Sequence, residues 1–131
     1  MMTSTREPVS TPHAPKAIGP YSQAISVGHL VFLSGQIGLD PTGKTELSSL
    51  DVEAQTHRAM DNLAAVLRAA GLSMKDVVAT TLYVADLKDF DAINRAYGSY
   101  FANSPPARST VQVAGLPRGA KIEIAAIASR P

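Results

Sequence analysis

Two short apolar runs follow the first twenty residues and are separated by a turn signal. Residues 21–27 and 30–34 are rich in apolar side chains, and Gly28 and His29 lie between them. Apolar-rich segments joined by a two-residue turn that contains glycine are typical of a β-hairpin. The pattern therefore predicts two antiparallel strands in this part of the chain.

A helical spacing begins after the next turn. Residues 40–44 contain a proline and a glycine at turn positions, which indicates a loop. From Val52 to Ala70, small or apolar residues recur at steps of three and four, and charged residues lie outside that stripe. Gly71 follows directly and can end a helix, because glycine readily adopts the left-handed backbone conformation. The pattern predicts one long amphipathic helix.

The rest of the chain repeats a strand and a helix and ends in two further strands. Residues 77–84 are β-branched and apolar, as in a buried strand, and residues 86–89 open a second helix. Beyond two prolines, residues 107–114 and 121–129 have the composition of strands and are joined by a short link. The predicted order is ββαβαββ. The packing stripe of the second helix is Phe90, Ile93, Tyr97, Tyr100 and Phe101.

This order predicts an α+β fold with two helices on one face of a sheet. A chain of 131 residues, 45% of them hydrophobic, is expected to form a single domain, residues 1–131. Its first sixteen residues, 1–16, are a polar extension that leads into the first strand. The helices leave the opposite sheet face uncovered, and so large an apolar patch is rare on a monomer. We therefore expect an oligomer.

Composition narrows the choice of partners. Twelve basic and eleven acidic residues give a net charge of +1, and the basic residues are scattered, which argues against a nucleic-acid partner. No stretch approaches the roughly 20 apolar residues of a membrane span. The chain has no cysteine, which excludes thiolate chemistry and fits a reducing compartment. We expect a soluble, cytoplasmic protein with no membrane partner.

Two charged residues interrupt the last two predicted strands. Arg108 stands in the segment Pro105–Ser109, and Glu123 stands between two isoleucines. An arginine binds a carboxylate through two parallel hydrogen bonds, and a glutamate can orient or deprotonate a water molecule. The pair indicates a site for small carboxylates. Because it alternates with isoleucines, Glu123 could equally occupy the solvent face of an edge strand.

The spacing of these two residues poses a geometric problem. If the link made a regular hairpin, Gln112 would lie opposite Glu123, and Arg108 would sit roughly 13 Å away at about 3.3 Å per residue. One hairpin alone would hold the two groups apart. A bulge, the long reach of arginine, or contribution of the groups by different subunits would each bring them together, and we favour different subunits.

Six motifs occur in order from about Pro12 to the C-terminus. They are Gly19-Pro20-Tyr21-Ser22-Gln23-Ala24, Ser34-Gly35-Gln36-Ile37, Gln55 with Asp61-Asn62-Leu63, Asn94 with Tyr97, Pro106-Ala107-Arg108-Ser109 and Lys121-Ile122-Glu123-Ile124. Together they resemble the Rid family of imine deaminases, in particular its RidA branch. The resemblance implies a chorismate-mutase-like α+β fold of the bacillus type. It also implies a homotrimer whose sheets pack into a central barrel, with helices outside and three sites between subunits.

Members of that branch hydrolyse reactive enamine and imine acids to 2-oxo acids and ammonia. By resemblance, the substrates are 2-aminoacrylate, 2-iminopropanoate and 2-iminobutanoate, and their removal protects pyridoxal-phosphate enzymes. No cofactor is implied. The resemblance assigns Arg108 to the substrate carboxylate and Glu123 to the attacking water. It also implies a pocket lined by Tyr21, Ser34, Gly35, Asn94 and Thr110, the last at a position where some relatives have cysteine.

Other chemistries have less support in the sequence. His13, His29 and His57 fall in a tail, a turn and a helix without the close pairing of a metal motif, so we assign no metal. No glycine-rich phosphate loop occurs, so no nucleotide cofactor is expected. Some relatives have been described as ribonucleases that inhibit translation and others as holdase chaperones. Both remain alternative functions.

Overall fold

In the computed structural model, which describes residues 5–131, the chain forms one six-stranded mixed sheet and two α-helices. The strand order is β1-β2-β3-β6-β4-β5. The helices are α1 (Val52–Ala69) and α2 (Phe90–Gly98). The predicted α+β architecture is confirmed, with one strand added at its start. The strands are β1 (Glu7–Val9), β2 (Ala24–Val27), β3 (Leu30–Gln36), β4 (Val77–Val84), β5 (Ala107–Gln112) and β6 (Ile122–Ser129).

The added strand lies in the segment that the sequence analysis assigns to a polar extension. β1 is three residues long, includes Pro8 and pairs antiparallel with β2 at the edge of the sheet. A proline has no N–H to donate, so it is tolerated in an edge strand where one side needs no partner. Three residues with a proline carry no alternating pattern, and the sequence therefore gave no signal for this strand.

The predicted N-terminal hairpin is confirmed with different bounds. β2 begins at Ala24 rather than at Tyr21. The Tyr21 N–H donates to the Gly19 carbonyl at 2.8 Å, so Tyr21 belongs to a tight turn and not to the strand. β3 continues past the predicted end to Gln36. At the turn between the strands, Gly28 has a φ of 58°, a conformation that glycine adopts without a steric cost.

The long helix is confirmed and has a defined cap at each end. The side chain of Asp51 accepts the Ala54 N–H at 2.8 Å, which satisfies one of the unpaired donors of the first turn. At the other end, Gly71 has a φ of 79° and the Leu72 N–H donates to the Leu67 carbonyl at 2.8 Å. The second helix is shorter than predicted, and Tyr100 and Phe101 follow its end while still packing against the core.

The last two strands do not form a hairpin, so the hairpin register considered in the sequence analysis does not apply. β5 pairs in parallel with β4, and β6 lies between β3 and β4, antiparallel to both. The residue opposite Glu123 is Tyr83 rather than Gln112. Burial explains the arrangement: every second residue of β6 is buried along its whole length, which suits a central strand, whereas the polar β5 suits an edge.

The two helices cover one face of the sheet. Leu30, Phe32 and Val111 lie on the other face and remain 39%, 42% and 42% exposed. One sheet face is therefore uncovered in the single chain, as predicted. Within the described residues, neither helix is long and apolar enough to cross a membrane. The buried residues of the covered face include Val31, Leu33, Leu82, Val84, Ile122 and Ile124.

Candidate active site

A cavity of about 340 Å³ opens beside the end of β3 and the start of β6. Four of the seven predicted site residues line it, namely Tyr21, Ser34, Gly35 and Glu123. The rest of its wall comes from the N-terminal segment and from the loops that follow β3 and β5. These further lining residues are Pro15, Lys16, Ile18, Gln23, Gln36, Ile37, Leu39 and Pro117.

The carboxyl group of Glu123 lies directly against the backbone at Gly35. A Cβ atom placed on Gly35 would stand 2.7 Å from Oε2 and 2.8 Å from Cδ of Glu123, so any larger residue at this position would displace the carboxyl group. The register between β3 and β6 shifts between Leu33 and Gln36, at this point of contact. Glycine at position 35 thus makes room for the carboxyl group within the cavity wall.

The Glu123 side chain is half-buried, and its carboxylate has no charged or hydrogen-bonding partner in the described residues. Burial raises the pKa of this carboxyl above its usual value of 4.5. In the described part of the chain, the carboxylate makes neither a hydrogen bond nor an ion pair. Both of its oxygens are therefore free to accept a proton or a hydrogen bond from a molecule in the cavity.

Tyr21 and Ser34 contribute polar oxygens with part of their capacity already used. The Ser34 hydroxyl donates to the Ser22 carbonyl at 2.6 Å, so only its lone pairs face a ligand. The Tyr21 hydroxyl accepts the Ile18 N–H at 3.3 Å and retains its own proton, and the residue is 50% exposed. Tyr21 can therefore still donate a hydrogen bond into the cavity.

The N-terminal wall of the cavity is held in place by one buried amide. Gln23 accepts the Thr11 N–H at 2.7 Å and donates to the carbonyls of Thr11 and Pro15 at 3.1 and 2.9 Å. The backbone from Thr11 to Pro15 is irregular and does not pair with a strand. The Gln23 side chain supplies hydrogen bonds to backbone groups of this segment that would otherwise be buried without partners. Gln23, a residue of the first motif, thus has a structural role.

Two more motif residues fix the segments on either side of Glu123. Gln55 on α1 accepts the Lys121 N–H at 2.9 Å and donates to the Leu47 carbonyl at 3.0 Å. Asn62, also on α1, donates to the Leu39 carbonyl at 2.8 Å and to the Ile37 carbonyl at 3.2 Å. These buried amides tie the start of β6 and the loop after β3 to the long helix. The motif marks them, but only the structure reveals this function.

Arg108 lies away from the cavity, between β5 and α2. Its guanidinium carbon stands 5.0 Å from the centre of the Tyr97 ring and 5.4 Å from that of Phe90. The Tyr97 hydroxyl in turn hydrogen-bonds the Thr80 hydroxyl at 2.8 Å. In the described part of the chain, Arg108 makes no hydrogen bond or ion pair, so its N–H groups remain available for an anion.

Asn94 and Thr110 belong with Arg108 rather than with the cavity. Asn94 lies between Phe90 and Tyr97 on α2 at the four- and three-residue steps of one helix face. Its Oδ1 atom is buried and has no hydrogen-bond partner in residues 5–131. Thr110 is two residues beyond Arg108 on β5, so both side chains point to the same sheet face. Arg108, Asn94 and Thr110 thus form a second cluster, which offers N–H and O–H donors and one unpaired acceptor, the Oδ1 atom of Asn94.

The two clusters face opposite sides of the sheet. Arg108 pairs with Thr80, which faces the helices, whereas Glu123 pairs with Tyr83 on the uncovered side. β4 separates their strands, so they lie about 10 Å apart across the sheet and about 10 Å apart along it. The structure therefore brings together four predicted site residues in the cavity and three beside α2, but does not unite the two groups within one chain.

The described residues hold no group of three or more histidine, aspartate or glutamate side chains arranged to bind a metal ion. No histidine of the described residues lines the cavity: His57, for example, is partly buried and contacts the Tyr100 hydroxyl at 3.2 Å, where α1 meets the segment after α2. The polar groups that line the cavity are a carboxylate, a phenol, a serine hydroxyl, a lysine amine and two side-chain amides.

Comparison with known proteins identifies the family. The model of the Endoribonuclease L-PSP family matches residues 11–130. Protein DfrA of Myxococcus xanthus is 53% identical over 98% of both chains. The 2-iminobutanoate/2-iminopropanoate deaminase of Mus musculus is 46% identical over 98% of this chain and 94% of its own. E. coli TdcF, solved with bound serine, is 42% identical, with a TM-score of 0.87 over 95% of this chain and 99% of its own.

The chain therefore belongs to the Endoribonuclease L-PSP family, and the resemblance to the Rid proteins is confirmed. The matches extend over almost the whole chain rather than over isolated motifs. The fold is the chorismate-mutase-like α+β fold of that family.

Proposed function

We propose that this protein is a cytoplasmic deaminase that hydrolyses 2-imino acids, in particular 2-iminopropanoate and 2-iminobutanoate and their enamine forms, to 2-oxo acids and ammonia. Relatives at this level of identity carry that activity in their names. The observation that supports the proposal most is that the chain carries both an unpartnered, half-buried carboxylate in a cavity and, elsewhere, an unpartnered guanidinium. These are the two groups that the reaction requires.

The main requirement of the reaction is that the imino acid and the attacking water are held in the correct relative position. The carbon of an imine that is protonated on nitrogen is already electrophilic, so water adds to it and gives an amino alcohol. The proton taken from the water is passed to the amine nitrogen, the C–N bond breaks, ammonia leaves, and the hydroxyl loses its proton as the C=O bond forms. Glu123 orients the water and accepts its proton as the bond forms. Burial raises the pKa of Glu123, which makes its carboxylate a stronger base than an exposed glutamate.

Arg108 holds the substrate through its carboxylate. The flat guanidinium matches a carboxylate with two parallel hydrogen bonds, and such charge-assisted bonds are about twice as strong as neutral ones. Asn94 and Thr110 lie beside it and complete the polar wall. Holding the acid group at one end fixes the imine carbon at a set distance, where water delivered from the opposite side can reach it.

A complete site on this proposal needs two subunits. Arg108 and Glu123 face opposite sides of one sheet, and the uncovered apolar face gives the chain a surface on which to assemble. In the proposed homotrimer, Glu123, Tyr21, Ser34 and Gly35 of one subunit meet Arg108, Asn94 and Thr110 of its neighbour. The uncovered faces pack together as the central barrel, which makes the interface apolar and obligate.

The proposal is tested with purified protein and a dehydratase that releases 2-iminobutanoate from threonine. Catalytic amounts should shorten the lifetime of the imine, and a chelator should change nothing. An unaltered imine lifetime, or activity lost to the chelator, would contradict the proposal. A structured RNA incubated with the same preparation tests ribonuclease action, which the family description names; we expect no cleavage.

A further inference from the structure

The guanidinium of Arg108 is held by contacts that leave its hydrogen-bonding edge unused. It stands over the rings of Tyr97 and Phe90, at 5.0 and 5.4 Å from their centres. Contact with an aromatic ring engages the flat face of a guanidinium, while the N–H donors lie in its plane. Since these donors have no partner in residues 5–131, the group resembles an anion receptor fixed before its ligand arrives.

The Tyr97 ring is itself rigidly placed. Tyr97 is only 4% exposed, its hydroxyl bonds Thr80 at 2.8 Å, and the Phe101 ring packs against it at 5.0 Å between centres. Thr80 is also the residue on β4 that pairs with Arg108 on β5. The same threonine therefore fixes both the strand that carries the arginine and the ring that contacts it.

We propose that Tyr97 and Phe90 are positioning residues that hold the Arg108 guanidinium in the orientation in which it binds the substrate carboxylate. The inference rests on the proposed function, because it takes Arg108 as the carboxylate ligand. Arginine has several rotatable bonds, and an unsupported side chain would lose that freedom on binding, which weakens binding. The two rings remove much of this loss in advance, and they do so without occupying the donors.

Substitution of the rings tests the inference through the affinity for 2-oxobutyrate, the stable reaction product. Tyr97→Leu should weaken binding about three- to thirtyfold, the range expected for loss of one cation–π contact that also orders the cation. Tyr97→Phe keeps the ring and should bind within about twofold of the unaltered protein. Phe101→Leu is the matched comparison: it removes a ring that packs against Tyr97 but does not contact Arg108, so binding should weaken clearly less than in Tyr97→Leu.

A spectroscopic readout separates positioning from general packing. The Nε–H resonance of Arg108, assigned by its loss in Arg108→Lys, should be shifted by the ring currents. It should move towards that of free arginine in Tyr97→Leu, and much less in Phe101→Leu, where the Tyr97 ring is still present. Phe90 is 40% exposed, so Phe90→Leu should fold normally. It should also weaken binding, which keeps the test decisive if Tyr97→Leu does not fold.

Equal losses in Tyr97→Leu and Phe101→Leu would overturn the inference, because affinity would then follow packing alone. Unchanged affinity in Phe90→Leu together with Tyr97→Leu would overturn it as well. If Arg108→Ala itself leaves the affinity for 2-oxobutyrate unchanged, the proposed function fails first. If Arg108→Ala weakens binding and the ring variants do not, only the positioning role is wrong.

Discussion

A methyl group added at Gly35 should displace the Glu123 carboxyl group without unfolding the protein. In Gly35→Ala, the new Cβ would stand 2.7 Å from Oε2 and 2.9 Å from Cγ of Glu123. Atoms in favourable contact are separated by about 3.5–4.0 Å, so the carboxyl group must move by about 1 Å. The obstructing atoms are the far end of a flexible side chain, and the strand backbone need not shift.

The expected cost falls on catalysis. A misplacement of about 1 Å at a reacting group can lower the rate about a hundredfold, because the water would no longer approach the imine carbon along a productive line. Binding of the 2-oxo acid product should stay near normal, since Arg108 lies on another part of the chain. The free energy of unfolding should change by less than about 1 kcal/mol.

Three measurements check this prediction: turnover of 2-iminobutanoate, calorimetry with 2-oxobutyrate, and unfolding in urea. Gly115→Ala is the matched control, because a Cβ at Gly115 meets no atom within 4 Å. Gly38→Ala gives the contrasting result, because its Cβ would stand 2.9 Å from the Gln55 Cα and should destabilise the fold itself. Full turnover in Gly35→Ala would show that the position of the Glu123 carboxyl group does not limit the reaction.

Three further predictions follow from the site. Arg108→Ala should weaken 2-oxobutyrate binding roughly 10- to 150-fold in calorimetry. Arg108→Lys should restore binding only in part, because a point charge lacks the planar guanidinium fork. Unchanged binding in Arg108→Ala would show that the arginine is not part of the site. Glu123→Gln should lower turnover while leaving that binding nearly intact, and equal loss of both would show the roles to be misassigned. Gln55→Ala should lower the free energy of unfolding by about 1–3 kcal/mol in urea titrations, since it leaves the Lys121 N–H and the Leu47 carbonyl without partners; no loss would exclude the tie between α1 and β6.

The raised pKa of Glu123 gives a fifth prediction, in which pH affects activity and stability in opposite directions. Activity should fall as pH drops through the raised pKa, at a pH above the ordinary 4.5 of a glutamate, because the base becomes protonated. The folded state favours the protonated carboxyl, so its contribution to stability is full below the unfolded pKa and is lost as pH rises through the folded value. Glu123→Gln should therefore raise the melting temperature at pH 7 and not at pH 3. A gain that persists at pH 3 would argue against burial as the cause.

The sequence predicted the elements whose pattern is periodic. The β-branched, apolar composition of β4 and the three- and four-residue steps of α1 are local properties, and both elements are predicted to within a residue. A hairpin of β5 and β6 is a natural starting assumption because two strands that follow one another usually pair, and only the burial of β6 along its whole length favours the centre of the sheet. Pairing depends on the whole sheet rather than on neighbouring residues.

In the candidate site, too, the sequence predicts individual residues but not their contacts. Arg108 and Glu123 stand out in the sequence because charges interrupt apolar strands. The closeness of Gly35 to Glu123 depends on a bulge between β3 and β6, and the rings around Arg108 come from a helix that lies after β4 in the chain. Neither contact has a local signature, so the partners of a predicted residue emerge only from the fold.

In the proposed trimer, each site combines Arg108 of one subunit with Glu123 of another. Co-expression of Arg108→Ala with Glu123→Ala tests it directly, since each variant alone should be inactive. With equal random mixing, about three-quarters of homotrimers contain both chains, and each of these has one intact site of three. We therefore expect the mixture to recover about a quarter of the activity of the unaltered protein. No recovery, with mixed trimers shown to form by mass spectrometry, would place both groups in one subunit and contradict the account.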